Sequence, residues 1–369
     1  MKFAIITYIL HKEHNKSYYS YEPYIREMNI WLSNADEVIV LAPKILSIPN
    51  TIETPYVHPK IAFLKIPGIS FLNFREIIRS LIKFPRVCYV IFKAMKEADH
   101  IHLRCPGNIG LIACFIQILF PNKPKTVKYA GNWDPNSKQP WSYRFQKWIL
   151  RNIFLSRNIK VLVYGDWPEQ SKNILPFFTA SFSETEKGLP NKDFIFPFKF
   201  IFVGSLSPGK RPLFAIKLIE FLMGKGIPVK LEIYGSGVLK NELQEYIATK
   251  NLDPFVRLMG NCKLEELKGV YKASHFLILA SQSEGWPKAI AEAMFFGCIP
   301  IATSVSCVPY MLDHGEQGIL IEPELDKAGL SVLSYLKDEK KLDDVSKRAL
   351  TWSRQFTLEK FEKEITNLI

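Results

Sequence analysis

Short apolar runs alternate with amphipathic stretches along the whole chain. Residues 3–9 and 37–41 are rich in apolar side chains, and residues 74–97 carry apolar positions at helical spacing. The same alternation starts again near residue 200. Strands that alternate with helices are typical of a parallel sheet covered by helices. The pattern therefore predicts an α/β protein with two doubly wound, Rossmann-like domains that face each other across a cleft at the carboxyl ends of their strands.

The individual elements follow from this alternation. In the first half, the predicted strands are 3–9, 37–41, 100–103, 126–130 and 160–163, and the predicted helices are 21–32, 74–97, 109–120 and 143–155. In the second half, the predicted strands are 200–203, 229–234, 256–258, 276–280 and 299–303, and the predicted helices are 213–225, 239–249, 264–273 and 288–296. Each half therefore has enough strands to form a sheet of its own.

A loop that contains proline, asparagine and lysine separates the two halves at residues 190–197. A chain of 369 residues is too long for one ordinary core and favours two domains. We therefore predict a first domain over residues 1–195 and a second over residues 196–355.

Composition narrows the class of protein. Apolar residues make up 47% of the chain, which is typical of a globular protein. The six cysteines are scattered without a Cys-x-x-Cys pair, which indicates reduced, mostly buried thiols and no structural zinc. The longest apolar run, residues 109–120, is too short to span a bilayer, and residues 1–10 are interpreted as a first strand rather than a signal peptide. These features predict a cytoplasmic protein.

The net charge of +12 is unevenly distributed. Basic side chains interleave with aromatic and aliphatic ones over residues 71–96 and 141–160. Such stretches suit an anionic membrane surface, and they predict peripheral attachment to the inner face of the cytoplasmic membrane. The alternative is that they are ordinary core-facing helices with solvated basic faces. No recognition-helix, zinc-finger or RNA-binding signature is present, so we expect no nucleic-acid partner.

Two carboxylates stand out in the sequence Ser281-Gln-Ser-Glu-Gly-Trp-Pro-Lys-Ala-Ile-Ala-Glu-Ala-Met294. Glu284 follows the apolar run 276–280, and Glu292 lies on the helical pattern that opens near Pro287. A strand, a short turn and a helix start suit an anionic ligand, because the first N–H groups of a helix are unpaired and lie at its positive end. A donor-sugar site is one interpretation of this pair. A surface glutamate and a solvated helix glutamate are the other.

A second loop follows the strand at residues 200–203. It reads Gly204-Ser-Leu-Ser-Pro-Gly-Lys-Arg-Pro212, so that glycines allow close approach of a ligand and Lys210 and Arg211 offer cations at the strand end. Cations there would stabilise the charge that develops on a leaving diphosphate. The alternative is a solvated turn before a helix that begins with Pro212.

Residues 281–302 resemble the signature of the retaining glycosyltransferases of family 4, which have the GT-B fold. The resemblance rests on Glu284-Gly-Trp286, on Glu292 followed by Ala-Met, and on Gly297 and Pro300. Four further segments occur in the family's order, at residues 202–212, 231–237, 256–260 and 315–320. The resemblance covers residues 199–350 well and the first half weakly.

The resemblance implies a role for each motif. Glu292 would bind the ribose hydroxyls, Glu284 would bind the donor sugar, and Gly260-Asn261 would lie against the base. The catalytic residues so implied are Glu284, Lys210 and Arg211. The donor-binding residues so implied are Glu292, Gly204, Ser205, Gly235, Gly260, Asn261, Gly285, Trp286, Pro287, Lys288 and Ala289. A last helix, residues 356–369, would pack back on the first domain.

The chain departs from the family pattern in three places. Ser205 stands where many members have arginine, Pro287 stands where glycine is common, and residues 7–11 contain no glycine. The tight turn at Gly235-Ser-Gly237 is as compatible with strand-to-helix packing as with nucleotide contact.

Strand ends in the first half supply the acceptor-side candidates. They are Arg104, Asn108, Asn132, Asp134 and Asp166. His102 lies on the same predicted strand as Arg104, and there it is either a sugar contact or a packed strand histidine.

The function expected from these features is transfer of a sugar, with retention, from a nucleotide sugar to a glycan or lipid-linked acceptor in bacterial surface polysaccharide synthesis. No cofactor is expected beyond the donor itself. No Asp-x-Asp metal motif is present. Lys210, Arg211 and a helix dipole would neutralise the diphosphate in place of a metal ion. Two alternatives remain, namely a nucleotide-sugar epimerase of similar fold and a binding protein with a degenerate site.

Overall fold

The computed structural model describes residues 1–69, 74–188 and 192–369, and the side chains of residues 74–77 are not described. The chain divides into two compact units. The first comprises Met1–Phe178 and Glu362–Ile369, and the second comprises Thr179–Phe361. Within the described ranges, no helix combines the length and the apolar character that a bilayer span requires.

The strands of the first unit begin at the amino terminus. In chain order they are β1 (Lys2–Ile6), β2 (His11–His14), β3 (Ser17–Tyr21), β4 (Glu37–Ala42), β5 (Lys44–Leu46), β6 (Glu53–Pro55), β7 (Ile61–Lys65), β8 (His100–Cys105), β9 (Lys125–Tyr129), β10 (Ile159–Tyr164) and β11 (Ile174–Phe177). The helices between them are α1 (Glu22–Leu32), α2 (Phe74–Glu97), α3 (Asn108–Ile116) and α4 (Trp141–Arg151).

The described strands of the main sheet in this unit run in the order β11-β10-β9-β8-β1-β4-β7, and all are parallel. Phe3, Ala4, Ile5 and Ile6 of β1 are fully buried, as expected for a parallel strand covered on both faces. From β1 the chain winds first toward β4 and β7, and later returns to β8 on the other side. The strand order therefore reverses between β1 and β8.

Helix α2 spans the predicted residues. Its second half packs on the sheet through Val87, Ile91, Ala94 and Met95, which recur at helical spacing and are fully buried. The confirmed length shows that the periodicity was strong enough to define this element, even though Pro85 lies inside it.

A second, small sheet was missed by the sequence pattern. Its described strands have the order β5-β2-β3-β6, and β2 and β3 form an antiparallel hairpin. Asn15 and Lys16 at its turn have φ values of 48° and 61°, the conformation that a two-residue hairpin prefers. The residues of β2 are His-Lys-Glu-His, so the strand lacks the apolar alternation on which the prediction depended.

The strands of the second unit are β12 (Phe198–Val203), β13 (Val229–Tyr234), β14 (Val256–Gly260), β15 (Phe276–Leu279), β16 (Ile299–Thr303) and β17 (Ile319–Ile321). Its helices are α5 (Pro212–Gly224), α6 (Lys240–Thr249), α7 (Leu264–Ala273), α8 (Lys288–Phe295), α9 (Val308–Met311), α10 (Leu325–Leu336) and α11 (Glu339–Ser353). The final helix of the chain is α12 (Leu358–Leu368).

The described strands of this unit form one parallel sheet in the order β14-β13-β12-β15-β16-β17. The chain winds from β12 toward β14, then returns to β15 and winds the other way. The order therefore reverses between β12 and β15, the position at which open α/β sheets bind ligands. Both units are thus Rossmann-like, as the sequence pattern predicts.

The division of the chain falls earlier than the predicted linker. Phe182 packs on Phe295 and Phe296 of the second unit, with ring centroids 5.1 and 4.9 Å apart. This aromatic contact joins the stretch after Thr179 to the second unit, so the predicted boundary at 195/196 lies inside it. Part of the predicted linker, residues 189–191, lies outside the described residues.

Helix α12 belongs to both units. Its first turn lies with the second unit, where the Leu358 N–H donates to the Phe182 carbonyl at 2.9 Å. Its remainder, Glu362–Ile369, lies with the first unit, where the Lys160 ammonium donates to the carbonyl of Leu368 at 3.2 Å. The predicted helix over 356–369 therefore starts two residues later and is shared.

Candidate functional site

Two loops meet where the strand order of the second unit reverses. One follows β12 over residues 204–211, and the other follows β15 over residues 280–287. The Gln282 N–H donates to the Gly209 carbonyl at 2.8 Å. The Lys210 ammonium donates to Oε1 of Glu284 at 2.5 Å. A backbone hydrogen bond and an ion pair therefore hold together two loops that the sequence separates by some seventy residues.

The Lys210–Glu284 pair is buried on one side and open on the other. The Glu284 side chain is 7% exposed and that of Lys210 is 29% exposed. A carboxylate at that depth needs a charged partner, and Lys210 supplies it. Arg211 follows with a φ of 51°, in the left-handed region, and directly precedes α5. The strand end thus presents a carboxylate and an ammonium side by side, next to a guanidinium in sequence.

Glu292 lies one turn into α8, and two hydroxyls hold its carboxylate. Oε1 accepts from the Ser181 hydroxyl at 2.6 Å, and Oε2 accepts from the Tyr271 hydroxyl at 2.9 Å. Burial, followed by the charge of Glu292, raises the pKa of Tyr271 well above its usual range, so this phenol stays protonated and donates. Ser181, Glu292, Trp286 and Lys288 line one small cavity.

The turn that carries Glu284 is supported from behind by an aromatic cluster. Trp286 stacks on Trp352 at 6.1 Å and meets Phe356 edge-on at 5.6 Å. The Cys307 thiol donates to the Gly285 carbonyl at 2.9 Å. Burial, with the charge of Glu284 as the next cause, raises the pKa of Cys307 to about 12, so the thiol remains protonated.

The two glycines at the end of β13 have a packing role. A Cβ on Gly235 would lie 1.8 Å from the Gly204 carbonyl oxygen, and one on Gly237 would lie 2.4 Å from that of Leu206. Gly235 also has a φ of 141° and donates its N–H to the Gly260 carbonyl at 2.7 Å. Both glycines therefore let the loop after β12 approach this turn.

A model of the family described as "Glycosyl transferases group 1" matches residues 188–352. The chain is 30% identical over 294 residues to the Escherichia coli UDP-Gal:alpha-D-GlcNAc-diphosphoundecaprenol alpha-1,3-galactosyltransferase, with 73% of this chain and 74% of the relative covered. The chain belongs to the group 1 glycosyltransferases. A putative colanic acid biosynthesis glycosyltransferase, WcaL of Salmonella typhimurium, is 25% identical to this glycosyltransferase over 178 residues, or 46% of this chain and 43% of the relative.

Solved structures agree on the fold. HepE of Anabaena, in complex with UDP and glucose, superposes with a TM-score of 0.69 at 14% identity and covers all of this chain and 98% of its own. Sucrose-phosphate synthase of Thermosynechococcus elongatus superposes with a TM-score of 0.67 at 16% identity, with coverage of 100% and 98%. The predicted GT-B fold is confirmed.

The remaining residues that the sequence predicts to bind the donor lie in the loops after β12, β14 and β15 and at the start of α8. Ser205 is exposed, and its hydroxyl lies 3.2 Å from that of Ser207. Pro287 is the residue that caps α8, so its missing N–H removes no helical hydrogen bond, and Lys288 and Ala289 form the first turn. Asn261 is exposed just after β14. No described group of three or more His, Cys, Asp or Glu side chains is arranged to hold a metal ion.

Arg104, an acceptor-side candidate, forms an ion pair inside the first unit. Its Nη1 lies 3.3 Å from Oε1 of Glu27, and both side chains are largely buried. The guanidinium also lies over the Tyr24 ring, 5.3 Å from the centroid. The arrangement gives Arg104 a structural role in this unit.

The other first-unit candidates differ in how far their side chains are engaged. Asn108 donates to the Ile69 carbonyl at 2.9 Å, while the side-chain oxygens of Asn132 and Asp134 each accept a nearby backbone N–H at 2.8 Å. Asn108 therefore ties the start of α3 to the distant residue Ile69, whereas Asn132 and Asp134 shape their own loop. Asp166, by contrast, is exposed after β10.

His102 is a packed strand histidine. It is fully buried, its Nδ1 lies 2.9 Å from the Thr126 hydroxyl, and its ring lies 4.5 Å from that of Trp31. Burial lowers its pKa well below the usual range, so the ring is neutral. Of the two interpretations that the sequence leaves open, the structure shows the packing one.

Sequence reasoning missed Ser181, Tyr271 and Cys307, which contact the predicted site residues. None lies in a motif, and each reaches the site only through the fold. A sequence signal existed only for Cys307. It follows β16, a parallel apolar strand, at the carboxyl edge of the sheet, where the candidates after β12 and β15 also lie.

Proposed function

We propose that this chain is a retaining glycosyltransferase of family 4, which moves a sugar from a nucleotide-sugar donor to a glycan or lipid-linked acceptor during bacterial surface polysaccharide synthesis. The observation that carries the proposal is the Lys210–Glu284 pair at the reversal of strand order, with Glu292 on the following helix. The relative in Escherichia coli supports it, because its name specifies UDP-Gal as donor and a diphosphoundecaprenol-linked acceptor.

The diphosphate of the donor has a set of cationic partners in this arrangement. Lys210 and Arg211 lie in the loop that follows β12, directly before α5, and the first turn of α8 begins at Lys288. As the bond from the sugar to the phosphate breaks, negative charge accumulates on the leaving oxygen. Fixed positive charge and helix N–H groups stabilise that charge more than they stabilise the bound donor, so they lower the barrier.

The two glutamates divide the rest of the donor. Glu284, beside Lys210, would accept hydrogen bonds from hydroxyls of the sugar, and Glu292 would accept them from the ribose. An ionised carboxylate has about four lone-pair sites, and Ser181 and Tyr271 occupy two of those on Glu292. The remaining sites can bind the ribose while the two hydroxyls fix the carboxylate in place.

Retention requires that the new bond form on the face from which the phosphate leaves. The acceptor oxygen bonds to the anomeric carbon as the bond to the phosphate oxygen breaks, and that phosphate oxygen takes the acceptor's proton. No protein nucleophile is needed. The metal-independent form of this reaction depends on Lys210, Arg211 and the start of α8 for charge stabilisation.

Donor use is the first prediction. In a panel of UDP-galactose, UDP-glucose, UDP-GlcNAc and GDP-mannose, at least one donor should release its nucleotide faster when a membrane extract supplies acceptors. EDTA should leave the rate within about twofold, because protein cations neutralise the diphosphate. Nucleotide release and the sugar product are measured. Conversion of the free nucleotide sugar without acceptor would indicate an epimerase. Full loss of activity in EDTA, restored by magnesium or manganese, would contradict the metal-independent mechanism.

The first unit carries a basic and apolar surface that supports attachment to a membrane. In α2, every described side chain from Ile78 to Arg86 except Ser80 is exposed, including Leu81 at 62% and Ile82 at 76%. In α4, Trp141 and Trp148 are exposed beside Arg151. Residues 71–73 of the predicted stretch and the side chains of residues 74–77 lie outside what the structure describes. Exposed aliphatic and aromatic side chains interleaved with cations suit the interface of an anionic bilayer.

The second prediction tests that surface. The protein should sediment with anionic liposomes at low salt and detach at high salt, because the attraction of each Lys or Arg, about 1 kcal/mol, is screened over about 8–10 Å at physiological salt. The triple charge reversal Arg79→Glu, Lys83→Glu, Arg86→Glu should abolish sedimentation while the melting curve is kept.

A matched control reverses three exposed lysines of the second unit, Lys230, Lys240 and Lys337, and should leave sedimentation unchanged. Equal sedimentation of the unchanged protein with neutral and anionic vesicles, or none with either, would mean that α2 and α4 are ordinary packing helices. A soluble acceptor would then be favoured.

A further inference from the structure

Ser306, in the loop after β16, combines two unfavourable features. Its φ is 52°, in the left-handed region that L-residues other than asparagine and aspartate rarely adopt. It is 7% exposed, and its hydroxyl has no hydrogen-bond partner among the described residues. An interaction of the hydroxyl with the Cys307 thiol lowers the pKa of that thiol, but it does not have the geometry of an ordinary hydrogen bond. Glycine at this position would remove both penalties.

The position of Ser306 links it to the turn that carries Glu284. The next residue, Cys307, donates its thiol proton to the Gly285 carbonyl. The Thr303 hydroxyl, at the end of β16, donates to the Ser281 carbonyl at 2.6 Å. Ser306 therefore lies in a loop that is fastened to both ends of the Glu284 turn.

A second hydroxyl beside the same turn also lacks a protein partner. Ser281 is 1% exposed, and its Oγ makes no hydrogen bond within the described part of the chain. Buried polar groups are nearly always satisfied, so two orphaned hydroxyls beside one turn call for a partner that the protein does not supply. Strain and unsatisfied polar atoms also concentrate where a ligand binds.

We propose that the Ser306 hydroxyl recognises the sugar of the donor, by a hydrogen bond to one of its hydroxyls beside Glu284. The inference rests on the proposed function, since it requires a nucleotide sugar at this turn. A hexosyl group carries hydroxyls that both donate and accept, which matches the two-way capacity of a serine hydroxyl. Retaining serine in a backbone conformation that glycine would adopt freely is then explained by what the hydroxyl binds.

The variant Ser306→Gly separates a ligand role from a structural one. It deletes the hydroxyl and relieves the left-handed backbone at once, so a merely structural residue would only gain stability. We expect the melting temperature to rise by about 2–4 °C. We also expect affinity for the active nucleotide sugar of the donor panel to fall by about 3–10-fold, the loss of one neutral hydrogen bond. Affinity for the free nucleoside diphosphate should stay unchanged, because that ligand has no sugar beyond its ribose.

A matched control is Lys16→Gly, since Lys16 has a φ of 61° and is exposed at the turn between β2 and β3. It should change the melting temperature in the same direction and leave both affinities unchanged. Ser306→Ala, which removes the hydroxyl but keeps the strained backbone, should weaken sugar-nucleotide binding as Ser306→Gly does.

Equal affinity of Ser306→Gly and the unchanged protein for the nucleotide sugar would overturn the proposal and assign the hydroxyl to an ordered water. An equal fall for nucleotide sugar and free diphosphate would also overturn it, because the contact would then be to phosphate. In either case the proposed function stands. If no nucleotide sugar binds the unchanged protein, both the proposed function and this assignment fail.

Discussion

Replacing Lys210 by alanine should lower kcat/KM for donor turnover at least tenfold, and by about a hundredfold if its charge acts mainly in the transition state. The ammonium lies in the loop after β12 and against Glu284, where the proposed diphosphate leaves. Charge grows on the leaving oxygen only as the bond breaks, so the effect should fall on kcat more than on donor affinity. Single-turnover rates and donor Kd values, measured for the unchanged protein and the variant, show how much of the effect falls on the chemical step and how much on donor binding.

The variant has a second, structural consequence that a control must separate. Removal of Lys210 leaves the Glu284 carboxylate, 7% exposed, without its partner. An uncompensated buried charge is strongly destabilising, whereas removal of both charges is often close to neutral. The double variant Lys210→Ala, Glu284→Gln should therefore recover much of the melting temperature that Lys210→Ala loses, but none of the turnover.

Arg211→Ala is the matched comparison. Arg211 is the next residue and carries the same positive charge, but it does not form the ion pair with Glu284. It should lower turnover at least tenfold with a smaller change in stability. Near-unchanged turnover in Lys210→Ala, or turnover restored in the double variant, would mean that Lys210 serves only as the structural partner of Glu284.

The fold was largely predictable because its main sheets are parallel. A parallel strand is buried on both faces, so β15 and residues 200–203 of β12 are continuous apolar runs that can be recognised without knowledge of the neighbouring strands. The small sheet of the first unit has the opposite character. Its strand β2 is polar along its length and is held by a hairpin turn at Asn15 and Lys16. Periodicity carries no signal for such a strand.

The meeting of the two candidate loops was predictable, but the contact between their side chains was not. Lys210 and Glu284 were each selected from a strand end, and the rule that ligands gather at a reversal of strand order brings both ends together. The sequence does not show that the two side chains pair with each other. Gly235 is a second example. A Gly-x-Gly turn predicts that another group approaches the backbone closely, but the sequence does not show that this group is the Gly204 carbonyl.

In the first unit, the residue type at a strand end suggested a ligand contact, but the neighbouring helix determined what the side chain contacts. Arg104 at a strand end predicts a ligand contact, but Glu27 on α1 lies within 3.3 Å and forms a buried pair with it. His102 on the same strand packs against Trp31. Both partners come from a helix that is distant in sequence, and a single sequence does not reveal which strand end such a helix covers.

Replacing Glu292 by glutamine should weaken binding of the donor and of its free nucleoside diphosphate equally, each by about 10–100-fold. A hydrogen bond to a charged group contributes about 1.5–3 kcal/mol, and both ligands contain the ribose. This equality distinguishes Glu292 from Ser306, which should discriminate between the two ligands. Tyr271→Phe is the control, because it removes one hydroxyl that holds the carboxylate and keeps the carboxylate itself. It should weaken both ligands by less than the glutamine variant does.

The decisive measurement uses 2′-deoxy and 3′-deoxy analogues of the nucleoside diphosphate. If the Glu292 carboxylate accepts from the ribose, the unchanged protein should lose affinity for at least one analogue, and Glu292→Gln should be much less sensitive to the same deletion. The two changes then remove one interaction and their effects are not additive. Full additivity, with the variant as sensitive to each analogue as the unchanged protein, would place the ribose elsewhere. Glu292 would then serve only to satisfy the hydroxyls of Ser181 and Tyr271, and its replacement would lower the melting temperature without a selective effect on the nucleotide.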